Sequence, residues 1–459
     1  MPIGENLIEL PPLASTVRPG LSGGLAPLRS EVEEDGPYDV TGTIPPSIDG
    51  MLMLIGPNPV FIEDLDAHDL DRGEGMVHAI DFDRGQPTTV RSRFVRTRGL
   101  ADRWGAKAAP GSLALAGPRA NRSIVNVAGR LLALDGAGYG YRITPELATA
   151  FIEDFDSMLS TAMGSSVAVN SSDGSGTFLS WYMDGSPGLL LHELSADGVI
   201  TSTTPLAVPL QPDDPPIAVL DDLVAIGLSS LFFDRSEVGD DRELAAGLRF
   251  DPDRASAVGL HGRKAEGSSL HLCHGRPGAI TEFAAMTSTS SGADGVFLFQ
   301  RPRREGDAEW RPTRRGGILT NFSADARTKS LRLEDVDDVD LAGISIDEVA
   351  AADVRRHAYA VTQDQRTVVK YNIRNGSATR VEMPEHLDAG TPTFWRDPDG
   401  RSDEEGWLFV PCFDRSTEAS TLVVYDATRM NSGSEFTIGL PSRIPLGVVG
   451  SFIPGPTFR

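Results

Sequence analysis

The chain has 459 residues, of which 42 are basic and 65 acidic, so its formal net charge is −23. A chain of this length with 40% hydrophobic residues buries a large core, which excludes disorder as its main state. The negative charge repels nucleic-acid phosphates and anionic lipid headgroups. We therefore expect a hydrophobic small molecule as the partner and no nucleic acid.

The cysteine count and the hydropathy pattern indicate the compartment. Cys273 and Cys412 are too few for a disulfide framework or a four-cysteine zinc site. No stretch approaches the roughly 20 apolar residues that a membrane-spanning helix needs. We therefore expect a cytoplasmic protein with no integral membrane span.

Short apolar runs, rich in β-branched and aromatic residues and bounded by turn residues, recur along the chain. The clearest runs predict strands at residues 130–134, 176–182, 222–226, 295–300, 368–373 and 421–425. Helical pattern is limited to short stretches near residues 145–150, 242–246 and 346–351. This rhythm predicts an all-β protein, and a β-propeller, a pair of sandwiches and a large barrel all fit it. Because no linker divides the chain, we expect a single domain over residues 1–459.

Several segments occur in the same order as the motifs of a known family. They are Gly-Thr-Ile-Pro-Pro at residues 42–46, Ile-Gly-Pro-Asn-Pro-Val at 55–60, Gly-Glu-Gly-Met-Val-His-Ala at 73–79 and Leu-Pro-Ser-Arg-Ile-Pro-Leu-Gly at 440–447. With these segments the sequence resembles the carotenoid cleavage oxygenase family over nearly its whole length. The resemblance implies a seven-bladed β-propeller, capped by loops and short helices over a hydrophobic tunnel.

The resemblance also implies a non-haem ferrous ion that four histidines hold on the propeller axis. Three of the four matching positions have no histidine, and Ala168, Leu220 and Val449 stand there instead. In the segment Leu-His-Leu-Cys-His at residues 270–274, His274 matches the remaining ligand. One imidazole does not hold Fe(II), because this ion depends on several ligands at once. We therefore expect the iron site to be lost and no cofactor to be present.

In the family, glutamates orient three of the metal-binding histidines, and these positions have changed too. Thr391 and Ala342 match two of the glutamates. The third match falls on Asp135 or on Gly136, depending on a one-residue gap. Carboxylates left without their cation would be costly to bury, so the joint loss of ligands and glutamates indicates an adapted pocket.

Five titratable residues near the former metal centre are candidate catalytic groups. His274 is expected to be a general acid or base, because imidazole titrates near neutral pH. Asp221, Asp222, Asp135 and Glu282 are expected to orient it or to act as a buried acid. For each residue a structural role is the alternative: a hydrogen-bonded strand end for the histidine, a turn for the aspartate pair and solvation for the glutamate.

Three functions remain open at this point. The main hypothesis is a metal-independent, non-oxidative enzyme, an isomerase, cyclase or lyase, that acts on an isoprenoid- or polyketide-like substrate in a biosynthetic pathway. One alternative is a non-catalytic protein that binds a hydrophobic ligand. Another is an iron-dependent, alkene-cleaving dioxygenase with atypical ligands.

Overall fold

A computed structural model of the protein describes most of the chain. The described residues are 7–10, 21–60, 73–104, 107–111, 117, 119–182, 188–208, 214–233, 248–263, 269–302, 310, 312–313, 315–347, 350 and 353–455. They form strands β1 to β32, one short helix α1 (Arg98–Trp104) and 3₁₀ turns at Gly23–Leu25 and Met430–Ser432. Within these ranges no helix is both long enough and apolar enough to cross a membrane.

The strands form blades around one axis, named blades 1 to 7 here, of which blades 4 to 6 belong to one hydrogen-bonded sheet. Blade 1 contains β1 (Val32–Asp35), β3 (Gly50–Asn58), β4 (Glu74–Asp83), β5 (Gln86–Phe94) and β32 (Val449–Pro454). Blade 2 contains β6 (Ser123–Val127), β7 (Arg130–Leu134), β8 (Gly140–Ile143) and β9 (Thr149–Glu153). Blade 3 contains β10 (Ala162–Val169), β11 (Gly176–Trp181), β12 (Leu189–Leu194) and β13 (Ile200–Leu206).

The next three blades are joined by hydrogen bonds. Blade 4 contains β14 (Ile217–Val219), β15 (Leu223–Leu228), β18 (Ala257–Gly262) and β19 (His271–His274), with the small pair β16 (Leu231–Phe233) and β17 (Leu248–Phe250) beside it. Blade 5 contains β20 (Ala279–Ser288), β21 (Gly292–Gln300), β22 (Gly317–Asp325) and the first part of β23 (Ser330–Ile346). Blade 6 contains the second part of β23, β24 (His357–Thr362), β25 (Thr367–Asn372) and β26 (Ala378–Glu382).

Blade 7 contains β2 (Val40–Gly42), β27 (Leu387–Ala389), β28 (Thr393–Arg396), β29 (Gly406–Asp414), β30 (Ala419–Asp426) and β31 (Phe436–Gly439). The ring closes through pairing between distant parts of the chain. In blade 1, β32 pairs antiparallel with β3, and in blade 7, β2 pairs antiparallel with β31. The innermost strands β6, β10, β14, β20, β23, β28 and β32 face the axis. The seven-bladed propeller is therefore confirmed.

The hydrophobic runs of the sequence fit this architecture because blades are stacked face to face. In β3, Met51, Met53 and Ile55 pack into one hydrophobic cluster, whereas Leu52 and Leu54 pack into another. Successive side chains of a strand point to opposite faces, so a strand between two blades needs apolar residues at every position. This is why such strands appear as continuous apolar runs.

All six predicted strands are present, as β7, β11, β15, β21, β25 and β30. The helical prediction near residues 145–150 is wrong, because β9 begins at Thr149 and pairs with β8. Near residues 346–351, β23 instead runs to Ile346. The stretch 242–246 lies outside the described residues. Pairing within a blade has overridden the local helical preference.

Candidate functional site

A cavity of about 1100 Å³ lies at the centre of the ring. Residues of all seven innermost strands contribute to its wall. Ligand-binding cavities in proteins measure about 300–1,000 Å³, so this one has room for a large organic molecule. The propeller axis is therefore the candidate functional site.

The three positions predicted to have lost their histidines all line this cavity. Ala168 lies on β10, Leu220 follows β14 and Val449 begins β32. Each packs against a different hydrophobic cluster of the core. The backbone carbonyl of Leu220 also accepts a hydrogen bond from Arg263 Nη1 at 3.1 Å. These residues give the cavity apolar surface at three separate points of the ring.

Three of the predicted carboxylates also reach the cavity. Asp221 and Asp222 are exposed and lie in the turn between β14 and β15. Glu282 is half-buried on β20, the innermost strand of blade 5. The aspartates therefore belong to the rim, whereas the glutamate belongs to the wall.

His274 and Asp135 do not line the cavity. His274 is exposed on β19, which is an outer strand of blade 4. Asp135 is buried, and its carboxylate accepts hydrogen bonds from the backbone N–H groups of Arg119, Ala120 and Ala137. The structure thus gives Asp135 a structural role and separates both residues from Glu282.

No histidine of the described chain lines the cavity, and His68 lies outside the described residues. The two most buried histidines hold strands together instead. His78 Nδ1 is 2.8 Å from Ser92 Oγ. His192 lies between Ser180 Oγ at 2.7 Å and Thr203 Oγ1 at 2.9 Å. These imidazoles stabilise the blades, and hydrogen bonds within the blades occupy the ring nitrogens described above.

Their burial predicts that acid destabilises the fold. Burial lowers the pKa of His78 to about 3 and that of His192 to about 4. The unfolded chain therefore takes up protons as the pH falls through about 6.5, whereas the folded chain does not. We expect each residue to lower the free energy of unfolding by about 1.5 kcal/mol between pH 6.5 and pH 5. Urea unfolding at both pH values measures this loss.

A matched pair of variants checks the assignment. His192→Gln should flatten the pH dependence, because it removes one buried titrating group. His386→Gln, on the exposed surface, should leave it unchanged. If the free energy of unfolding falls equally with pH in wild type and in His192→Gln, burial of His192 does not explain the acid sensitivity.

A buried ion pair at the cavity wall was not predicted from the sequence. Arg122 Nη1 lies 2.7 Å from Asp214 Oδ2, and the two side chains are only 13% and 2% exposed. Asp214 also accepts two hydrogen bonds from Ser165, one from its backbone N–H at 2.8 Å and one from its side-chain hydroxyl. Arg122 precedes β6, Ser165 lies on β10 and Asp214 precedes β14. The pair therefore ties together the innermost strands of blades 2, 3 and 4.

Arg315 extends this connection to two more blades. It precedes β22 of blade 5, and its Nη1 donates to the carbonyl of Gly447 at 2.7 Å, just before β32 of blade 1. Its Nη2 donates to the carbonyl of Arg122. Arg122, Asp214, Ser165 and Arg315, named the axial clamp here, thus connect five of the seven blades beside the cavity.

Gly136 lies directly against the Asp214 carboxylate. Its φ is +75°, and a Cβ atom at this position would lie 2.3 Å from Asp214 Oδ2. No side chain fits there while Asp214 keeps its place. Asp214 therefore occupies the space next to Gly136, which is one of the two alternative matches, with Asp135, to the third orienting glutamate.

Comparison with known proteins identifies the family. A family model described as the retinal pigment epithelial membrane protein matches residues 25–454. The chain belongs to this family, that of the carotenoid oxygenases. The expected membership is confirmed, and its relatives are enzymes that act on hydrophobic small molecules.

Known relatives and a solved structure are similar to this chain over nearly its whole length. The carotenoid cleavage oxygenase of Mycobacterium tuberculosis is 25% identical, over 96% of this chain and 98% of that protein. The apocarotenoid-15,15′-oxygenase of Synechocystis is 24% identical, over 90% of this chain and 92% of that protein. The crystal structure of Pseudomonas brassicacearum lignostilbene dioxygenase has a TM-score of 0.83 at 20% identity, over 97% of this chain and 100% of that one.

These relatives correct the main functional hypothesis. They are named as oxygenases and dioxygenases, and nothing among them indicates an isomerase, cyclase or lyase that works without a metal. The expectation of a metal-independent, non-oxidative enzyme is therefore wrong.

The family implies an iron centre, and the residues present at this cavity do not fit it. Imidazole is the ligand that the family offers to the ion, and no histidine in the described ranges lines the cavity. No group of three or more histidine, cysteine, aspartate or glutamate side chains able to hold a metal ion occurs in the described part of the chain. Ala168, Leu220 and Val449, which the sequence resemblance matches to three of the ligands, line the cavity and offer no lone pair to a metal.

Proposed function

We propose that this protein binds a hydrophobic small molecule in its central cavity and does not cleave it. The observation that carries the proposal is the placement of Ala168, Leu220 and Val449 on the cavity wall, where the family has histidines. Apolar side chains at these points favour contact with a hydrocarbon skeleton and disfavour a metal ion. The relatives, named for carotenoids, apocarotenoids and stilbenes, suggest a long conjugated ligand.

Aromatic side chains on the wall support the same proposal. Trp395 and Phe452 line the cavity with their ring centroids 4.9 Å apart. Phe283 lines it from β20 and packs edge-on against Phe297 at 5.8 Å. Phe283 and Phe452 are buried, so the half-buried Trp395 offers the larger aromatic surface to a planar conjugated molecule.

The test is a binding and turnover experiment on one sample. We expect trans-stilbene or an apocarotenal to bind with a Kd in the micromolar range, as measured by quenching of tryptophan fluorescence. Incubation in air with added Fe(II) should return the ligand intact, and elemental analysis should find far less than one iron per chain. Cleavage products together with stoichiometric iron would support the dioxygenase with atypical ligands and refute the proposal.

A further inference from the structure

One buried hydroxyl group on the cavity wall has no hydrogen-bond partner among the described residues. Two buried hydroxyl side chains line the cavity in the described part of the chain, Thr177 and Thr391. Thr177 Oγ1 donates to Glu193 Oε2 at 2.9 Å. The half-buried Ser345 accepts a hydrogen bond from the backbone N–H of Phe394 at 2.9 Å.

Thr391 makes no hydrogen bond to any described residue, although its side chain is only 5% exposed. Thr391 lines the cavity, and its Oγ1 is not among the fully enclosed polar atoms that lack a partner. A polar group in such a place costs free energy when nothing pairs with it. A valine of the same shape would avoid this cost.

The position of Thr391 adds to this argument. It precedes β28, the innermost strand of blade 7, and matches a glutamate that orients a metal-binding histidine in the family. No histidine in the described ranges lines the cavity, so Thr391 has no imidazole to orient there. Its neighbour across the blade interface is Gly343, which offers no side chain that could pair with it.

We infer that Thr391 is a ligand-binding residue, whose hydroxyl hydrogen-bonds to a hydroxyl or carbonyl oxygen of the bound molecule. This inference rests on the proposed function, since it requires a ligand in the cavity. A pure hydrocarbon would displace water from Thr391 and leave its oxygen unpaired, whereas an oxygenated ligand would pair with it. Thr391 thus selects oxygenated molecules from hydrocarbons of similar shape.

The experiment compares trans-stilbene with 4-hydroxy-trans-stilbene in two isosteric variants. Thr391→Val should weaken binding of the hydroxylated probe by about 3- to 10-fold and leave the Kd of trans-stilbene unchanged. Thr393→Val is the matched control, because Thr393 is also buried, but its oxygen is fully enclosed and the residue does not line the cavity. It should leave both affinities unchanged.

The outcomes separate the two proposals. If neither probe binds the wild-type protein, the proposed function fails and the inference fails with it. If both probes bind and Thr391→Val leaves their affinity ratio unchanged, the inference alone is refuted. Thr391→Ser keeps the hydroxyl, so the ratio of the two affinities should stay within about twofold of wild type. This result would show that the hydroxyl, and not a change of packing, determines the ratio.

Discussion

Replacing Ala168 by tryptophan is expected to raise the Kd for an apolar ligand by on the order of 100-fold, equivalent to about 3 kcal/mol. Ala168 is half-buried on the innermost strand of blade 3, and it lines the cavity where a ligand would lie. An indole at this position fills space that the ligand needs. Fluorescence titration with trans-stilbene measures the loss.

Val199→Trp is the matched control for this variant. Val199 is 43% exposed and lies in the turn before β13 of the same blade, outside the cavity. The Val199→Trp variant should bind trans-stilbene with the same Kd as wild type. Undiminished binding by Ala168→Trp would place the ligand elsewhere on the protein.

Replacing Asp214 by alanine is expected to lower the free energy of unfolding by about 3–5 kcal/mol. The substitution leaves the Arg122 guanidinium without its buried carboxylate and removes the acceptor of the Ser165 backbone N–H. Breaking one partner of a buried pair is costly because the remaining charge stays in a poorly solvated place. Urea unfolding followed by circular dichroism measures the effect.

The control for Asp214→Ala is an exposed ion pair. Asp102 pairs with Arg98 at 3.3 Å, and the two side chains are 67% and 51% exposed. Asp102→Ala should therefore cost less than about 1 kcal/mol. Similar small losses in both variants would show that the axial clamp does not stabilise the ring.

The sequence predicts the fold well because each blade repeats the same local pattern. Apolar runs bounded by turn residues locate strands such as β7 and β25 to within one residue. Motifs collinear with a known family then fix the register, so Ala168, Leu220 and Val449 fall on the cavity wall as their alignment implies.

The candidate site is less predictable, for two physical reasons. His274 has the local pattern of a strand-end ligand, but β19 is an outer strand, and the innermost strand that follows carries Glu282 instead. Local similarity does not distinguish inner from outer strands of a blade. The Arg122–Asp214 pair joins residues far apart in the chain, and no short motif marks such a contact.

The pairing of β32 with β3 has a consequence for the nascent chain. It joins Ile55 to Val449, about 400 positions later. At a synthesis rate of about 5–20 residues per second, β3 waits about 20–80 s on the ribosome before its partner exists. During that time blade 1 exposes an unpaired edge, which is a template for wrong pairing with other chains. Production in the cell should therefore depend on chaperones that bind nascent chains, even though the finished ring buries this edge.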